Sequence, residues 1–295
     1  MDAILKDRRA IALFVGPALL AYTLILLGPV IWSLVYAFFS GNDIVGFKYV
    51  GLANISHLFH DPQFLDALEF TLKYAVTVTV LQVGFGLLLA LLYVFYLRRS
   101  SALVRTLVFF PAIVPTVAVA GLFSKLFAIV PQYGVVNGFF HAVGWNSQVK
   151  DWLGYGGSAF LVIVIMDVWR SMGFYAVLLY AGLVNVPDEL IESARLDGAS
   201  GFRLVKNVVL PLLYPVLFSA LIFSINGTLK VFDSILALTS GGPGQATTPL
   251  TLYMYDTAFS YGQYGYGSAI AAALAVMCLV ITVALFGFAR RDLTA

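Results

Sequence analysis

Four ionisable side chains interrupt runs of the chain that are otherwise apolar: Asp167 and Arg170 in one, Lys230 and Asp233 in another. Each pair is one helical turn apart, so each acid can meet its base on one helix face. An ionisable residue inside a membrane span costs roughly 2.5–3.5 kcal/mol and usually faces a protein interior or a water-filled cavity. The pairs therefore act as internal struts or line a solute path, and Lys230 with Asp233 can also reach an interface by snorkelling. Near them stand hydroxyls, an amide and rings: Thr116, Trp169, Ser171, Tyr175, Ser224, Asn226 and Thr228. Donors and acceptors beside a rigid aromatic platform are the chemistry that holds a sugar or polyol. Trp169 and Tyr175 fit a second role equally well, as packing or lipid-facing aromatics. Bond-making chemistry has no comparable signal. The chain has no G-x-x-x-x-G-K-[ST], no H-E-x-x-H and no G-x-S-x-G, and none of its 3 histidines lies in an apolar run beside an acid.

A polar segment between two long apolar runs, Pro187–Pro211, carries the second constellation. Pro187 suits a first helical turn, where Asp188 and Glu189 favour the positive helix end. The helix is expected to run to about Asp197 and to stop at Gly198 in a left-handed turn. Leu190, Ile191 and Ala194 share one face, leaving Glu192, Arg195 and Asp197 as polar surface for a partner. Ser200 is placed to cap a second short helix holding Phe202, Val205 and Val209 before Pro211 opens the next run.

Both constellations need a membrane to hold them. Of 295 residues, 61% are hydrophobic and only 11% charged. Apolar runs reach the ~20 residues needed to cross a bilayer as a helix. The spans are expected at 11–39, 74–97, 104–126, 158–182, 211–239 and 269–288, giving six helices in one transmembrane domain. The N-terminal stretch lacks a small-residue cleavage pattern, so the first run reads as a retained span. Cys278, the only cysteine, lies inside an apolar run, which excludes a disulfide framework. His57 and His60 can share a helix face but lack a third ligand, so no metal site is expected. Short interfacial helices are expected in the aromatic-rich loops after spans one, three and five. Pro111 and Pro115 read as kink positions, and Gly84 and Gly86 as close-packing positions.

Charge orients the spans. Lys6, Arg8, Arg9, Arg98, Arg99, Arg105, Arg195, Arg203, Lys206, Arg290 and Arg291 fall on one side, eleven of 17 basic residues. The other side has Lys48, Lys73, Lys125 and Lys150. The positive-inside rule therefore predicts that residues 1–10, the 187–207 loop and residues 289–295 are cytoplasmic. Basic residues so dispersed give no support to nucleic-acid binding.

Glu192-Ser193-Ala194, three residues, Gly198, nine residues and Val208-Val209-Leu210-Pro211 resemble the EAA loop of permease subunits in bacterial ABC importers. Ser stands for the first Ala of that pattern and Val for its Ile. Three further stretches are similar to the MalF-like, carbohydrate-uptake branch: 47–54 followed by Asp61-Pro62-Gln63-Phe64; Leu238-Thr239-Ser240-Gly241-Gly242-Pro243 followed by Thr247-Thr248; and Tyr264-Gly265-Tyr266-Gly267-Ser268-Ala269. Gly-Gly-Pro alone is only a turn signal; its place after span five is what adds meaning.

The resemblance implies an all-α integral membrane protein with a MetI/MalF-like fold, in the compact version without the large outer domain of the maltose-type large subunit. It implies that Glu192, Ser193, Ala194, Asp197 and Gly198 couple to an ATPase. It also implies that the middle spans line the substrate path, so Thr116, Trp169, Ser171, Tyr175, Ser224, Asn226, Lys230 and Asp233 are the candidate lining. The expected role is a non-catalytic permease for an oligosaccharide, glycoside or polyol. Its expected partners are a homologous second permease, two ATPase subunits and an extracytoplasmic binding protein, with ATP and Mg held by the ATPase and no cofactor on this chain. The same importer type for a phosphate ester, peptide or polyamine is the first alternative. A secondary transporter is another, but it should show inverted repeats and leaves the EAA spacing unexplained.

Overall fold

The computed structural model describes residues 8–42, 44–97 and 100–293. Lys6, Arg98 and Arg99, on which part of the charge argument rests, lie outside the described residues. So do residues 1–7 and 294–295 of the two terminal segments. The chain forms two compact units, Met1–Leu65 with Tyr253–Val276, and Asp66–Leu252 with Met277–Ala295.

In the first unit, α1 (Ala12–Tyr36) is long and apolar enough to cross a membrane, and none of its residues is buried. The span expected to reach residue 39 stops at Tyr36. A hairpin of β1 (Phe39–Asn42) and β2 (Gly46–Tyr49) follows, with Phe39 opposite Tyr49. This hairpin is an addition to the expected all-α architecture; Gly41 and Gly46, both at positive φ, make its tight return possible. After it comes α2 (Ala53–Leu58), and Asn54 ties the two together by donating to the carbonyls of Ala37 and Phe39. Asp61, 7% exposed, accepts hydrogen bonds from the hydroxyls of Tyr253 and Tyr266 and from the Gln63 N–H. Burial pushes its carboxyl up, but these donors outweigh it and leave the group below the usual carboxylate value. Gly265 lies so close to the Phe39 carbonyl that a Cβ could not fit.

The second unit holds most of the spans. α3 (Pro62–Phe95) begins well before the expected residue 74 and has 34 residues, about 51 Å of helix. That exceeds the roughly 30 Å hydrocarbon core, so Asp66, Glu69 and Lys73 fall on turns that a membrane need not cover. The third span, expected over 104–126 with kinks at Pro111 and Pro115, is two helices, α4 (Ser101–Ile113) and α5 (Thr116–Leu126), bent by 96° at Val114-Pro115. Pro115 lacks the N–H that would continue α4 and forces Val114 into an extended conformation. α6 (Val135–Ala142) follows, then α7 (Gly156–Val184).

The polar loop folds as α8 (Asp188–Leu196), a turn through Gly198 at φ +88°, and α9 (Gly201–Thr228). The expected separate second helix does not exist, because α9 runs from the loop straight into span five. A π-helical segment, Val205–Val209, lets the Leu210 N–H bond Val205 five residues back, just before Pro211, which has no N–H to give. Ser200 has the extended backbone of a cap, but its hydroxyl makes no capping bond. Span five does not reach residue 239. It breaks after Thr228, and α10 (Asp233–Leu238) is a separate helix. α11 (Leu250–Tyr255) and α12, a helix over Tyr264–Leu293 whose stretch to Gly287 is span-like, complete the chain.

Close approaches explain several glycines. A Cβ on Gly86 would stand 2.7 Å from Cβ of Tyr175 and 3.0 Å from the Ala176 nitrogen, which brings α3 against α7. Gly84 has nothing within 4 Å, so the close-packing role belongs to Gly86 alone.

Candidate functional site

The helix breaks build a cavity. With α5 turned by the bend and α10 detached from α9, the ends of these helices and the middles of α3 and α7 enclose about 260 Å³. Of the eight residues expected to line a path, Thr116, Ser171, Tyr175, Ser224, Lys230 and Asp233 border this space. Trp169 does not; its ring packs on Phe123, 5.8 Å between centroids, within an apolar cluster. Asn226 does not either. Its side chain donates to the Thr282 hydroxyl at 2.9 Å, accepts from it at 3.1 Å, and donates to the Ile222 carbonyl.

Lys230 and Asp233 cannot form the expected helical pair, because the helix ends between them. Asp233 instead occupies the first turn of α10, where the helix dipole favours a carboxylate. Both side chains are exposed, and each borders the cavity. The other pair persists in loosened form: Arg170 Nε lies 3.6 Å from Asp167 Oδ1. Asp167 is 3% exposed, and its Oδ2 accepts from the Tyr74 hydroxyl at 2.6 Å and the Ser234 hydroxyl at 2.8 Å. Its Oδ1 and the Arg170 Nε are buried without a hydrogen-bond partner.

A second polar chain runs beside it. Gln82 donates to Ser224, Ser224 donates to Thr79 at 2.9 Å, and Thr79 meets Thr228 at 3.2 Å. Attention to the middle spans missed Tyr74 and Gln82. The signal was present: Tyr74, Val78 and Gln82 recur every four residues along α3, so two polar groups share one stripe of the helix.

The Gly-Gly-Pro element is a fixed loop. Thr247, wholly buried, donates to the Gly242 carbonyl at 2.6 Å and meets the Thr239 hydroxyl at 2.9 Å. Thr248 donates to the Gly241 carbonyl, and Gly241 has φ +82°, with no room for a Cβ beside Thr248 Oγ1. The threonines at this spacing are therefore what close the loop that follows α10.

The EAA-like residues lie on a different surface. Glu192, Ser193, Asp197 and Gly198 are exposed on α8 and its turn, while Ala194 and Ile191 pack against a cluster containing Leu204, Val209 and Leu213. Leu190 does not share that burial; it is 44% exposed, and Leu196 is 89% exposed. Polar and apolar groups thus stand together in solvent on one short helix.

Comparison with known proteins covers nearly the whole chain. Residues 82–291 match the family described as binding-protein-dependent transport system inner membrane component. The trehalose/maltose transport system permease protein MalF of Thermococcus litoralis is 37% identical over 246 residues, 83% of this chain and 81% of that one. The lactose transport system permease protein LacF of Rhizobium radiobacter is 30% identical over 282 residues, 95% and 93% of the two chains. Among solved structures, a bacterial ABC transporter involved in import of the acidic polysaccharide alginate superposes with TM-score 0.85. It is 24% identical and covers 98% of this chain and 99% of its own.

Proposed function

Because the chain belongs to the family of binding-protein-dependent transport system inner membrane components, we propose that its cavity is the passage for a sugar in an ATP-driven importer. One observation carries the choice of solute. The cavity is rich in hydroxyl groups, with the Gln82 amide beside them, and its formal charges cancel, Arg170 and Lys230 against Asp167 and Asp233. A neutral, hydroxyl-rich solute suits such a lining, whereas an anion would need an uncompensated positive charge. The names of the two relatives, a trehalose/maltose and a lactose permease protein, support the same class.

In this reading the permease binds no cofactor and hydrolyses nothing. A separate pair of ATPase subunits holds ATP and magnesium, docks on Glu192, Ser193, Ala194, Asp197 and Gly198, and drives α8 as a lever. A homologous second permease completes the passage, and an extracytoplasmic binding protein delivers the sugar. Both ends of the chain and the EAA-like loop face the cytoplasm. Coupling requires that the docked loop differ in free energy between two states of the passage.

The test is reconstitution of the assembled importer in proteoliposomes, with its binding protein loaded in turn with maltose, trehalose and lactose. ATP-dependent accumulation of at least one is expected. Ser171→Trp, which fills the cavity, should abolish it while the complex still assembles. Uptake unaffected by Ser171→Trp would place the passage elsewhere.

A further inference from the structure

We propose that the first unit carries a second sugar site, a pocket that takes a neutral saccharide independently of the passage cavity. The inference rests on the chain serving a sugar importer and adds a place where the permease itself holds the solute.

Three segments of that unit, β1, α2 and the turn that leads into α12, close around about 520 Å³. β1 follows α1 and the turn precedes α12, so the pocket lies at the ends of these two spans opposite the chain termini, extracytoplasmic in the orientation proposed above. The volume falls within the roughly 300–1,000 Å³ of small-molecule sites. Its polar lining is Ser40, Asn42, Asn54, His57, Tyr261 and Gln263, and no Asp, Glu, Lys or Arg borders it. Each of the six is half-buried or exposed, so a solute can reach it.

The walls are braced from behind, which leaves polar groups at the pocket unspent. Asn54 donates through Nδ2 to the Ala37 carbonyl at 2.9 Å and the Phe39 carbonyl at 2.8 Å, so its Oδ1 remains as an acceptor. Asn42 does the reverse: Oδ1 accepts from the Ile44 and Val45 N–H groups, both at 3.0 Å, and Nδ2 remains as a donor. A Cβ on Gly262 would stand 3.4 Å from that Nδ2, and Gly262 itself borders the pocket, which puts the free end of Asn42 on the pocket side. The His57 ring rests on the ring of Tyr266, 4.8 Å between centroids, and Tyr266 is anchored by its bond to Asp61. The side chains of Ser40, Tyr261 and Gln263 make no hydrogen bond among the described residues. Donors and acceptors together, beside an exposed tyrosine ring, match the hydroxyl edge and the apolar face of a sugar. An ion finds no carboxylate, ammonium or guanidinium there to meet it, and an apolar ligand would leave these groups unpaired.

The test uses the assembled importer in nanodiscs, without its binding protein and free of maltoside detergent, which would itself compete. Equilibrium dialysis with radiolabelled maltose, trehalose and lactose in turn is expected to show saturable binding of at least one. Binding should persist in Ser171→Trp, which closes the passage cavity. In that background it should weaken by about tenfold in Gln263→Ala and in Tyr261→Ala, the loss of one hydrogen bond or one ring contact. Tyr261→Trp, which keeps a ring, should bind within a few-fold of the parent. If Tyr261→Ala does not assemble, Gln263→Ala carries the comparison alone. No saturable binding of any of the three sugars overturns the proposal. So does binding that vanishes in Ser171→Trp, since the sugar then sits in the passage, and so does binding unchanged by both alanine variants. If those variants instead lower only the capture of loaded binding protein, the pocket is a docking surface for that protein and the proposal fails equally. Uptake that survives Ser171→Trp defeats the passage but not this site, because its binding is read without transport.

Discussion

Gly198 is where the loop's geometry can be broken with least collateral damage. It holds φ +88° between α8 and α9, and a Cβ built there meets nothing within 4 Å. The whole cost of Gly198→Val is therefore in the backbone, roughly 1–2 kcal/mol for a non-glycine residue forced into a left-handed conformation. That corresponds to a shift of roughly 5- to 30-fold in the population of the native turn. The turn is closed by the Gly198 N–H on the Arg195 carbonyl at 3.0 Å and the Ala199 N–H on the Ala194 carbonyl at 2.9 Å. Relaxing φ to a negative value swings the Ala199 N–H off the Ala194 carbonyl and re-aims α8, which carries Glu192, together with Asp197 at its end. The spans should not notice, since Gly198 is exposed and outside them. Gly198→Val is expected to reach the membrane at wild-type level yet retain little ATPase on affinity purification, and to lose hydrolysis stimulated by loaded binding protein. Gly198→Ala should be intermediate and Gly198→Asn nearly normal, because asparagine tolerates this region. If Gly198→Asn failed as badly as Gly198→Val, the missing side chain rather than the backbone would be what matters, and the reasoning would be refuted.

Other expectations follow from single contacts. Gly86→Val should destabilise the purified protein by about 1–3 kcal/mol through overpacking against Tyr175, whereas Gly84→Val should be near neutral; equal thermal melting of the two would contradict the packing. Asp61 has a lowered folded-state pKa, so its contribution is fully present above the ordinary carboxylate value near 3.8 and is lost as pH falls through the lowered one. Asp61→Asn should melt lower at neutral pH and lose less further stability on acidification than the wild type. Asn226→Ala should cost about 0.5–1.5 kcal/mol with little change in uptake, and a double-mutant cycle with Thr282→Val should show coupling between the two sites. A cysteine at Ser240 should react with an impermeant reagent applied to intact cells; protection there would invert the proposed orientation.

The sequence announced the membrane spans and the turn of the EAA-like loop clearly, because apolar run length and a left-handed glycine are local properties. Gly198 stops α8 as its position suggested, and Pro115 gave warning of a break, though not of its 96° angle. What stayed hidden depended on partners distant in the chain. The stop of span five at Thr228 is invisible in composition, since Leu229–Leu238 is as apolar as what precedes it apart from Lys230, Asp233 and Ser234. It makes sense only once Ser234 is seen bonded to Asp167, and Thr251 to the Val231 carbonyl. Trp169 had the right residue type for a sugar platform, but its direction on α7 turns it toward Phe123. Tyr74 and Gln82 had the right direction but sat on a helix not suspected of lining anything.

The break at Val114-Pro115 has a consequence for how the cavity can vary. Neither α4 nor α5, 13 and 11 residues long, crosses a bilayer alone. The first N–H groups of α5 have no partner within their helix, and Thr116, its first residue, borders the cavity. Irregular backbone at such depth is tolerated where it meets water or protein rather than lipid. The cavity is therefore bordered in part by backbone that every residue type carries. Side chains around the cavity can change from one relative to the next, while this backbone contribution is inherited unchanged as long as the bend persists. A substitution scan, which alters side chains only, is blind to it.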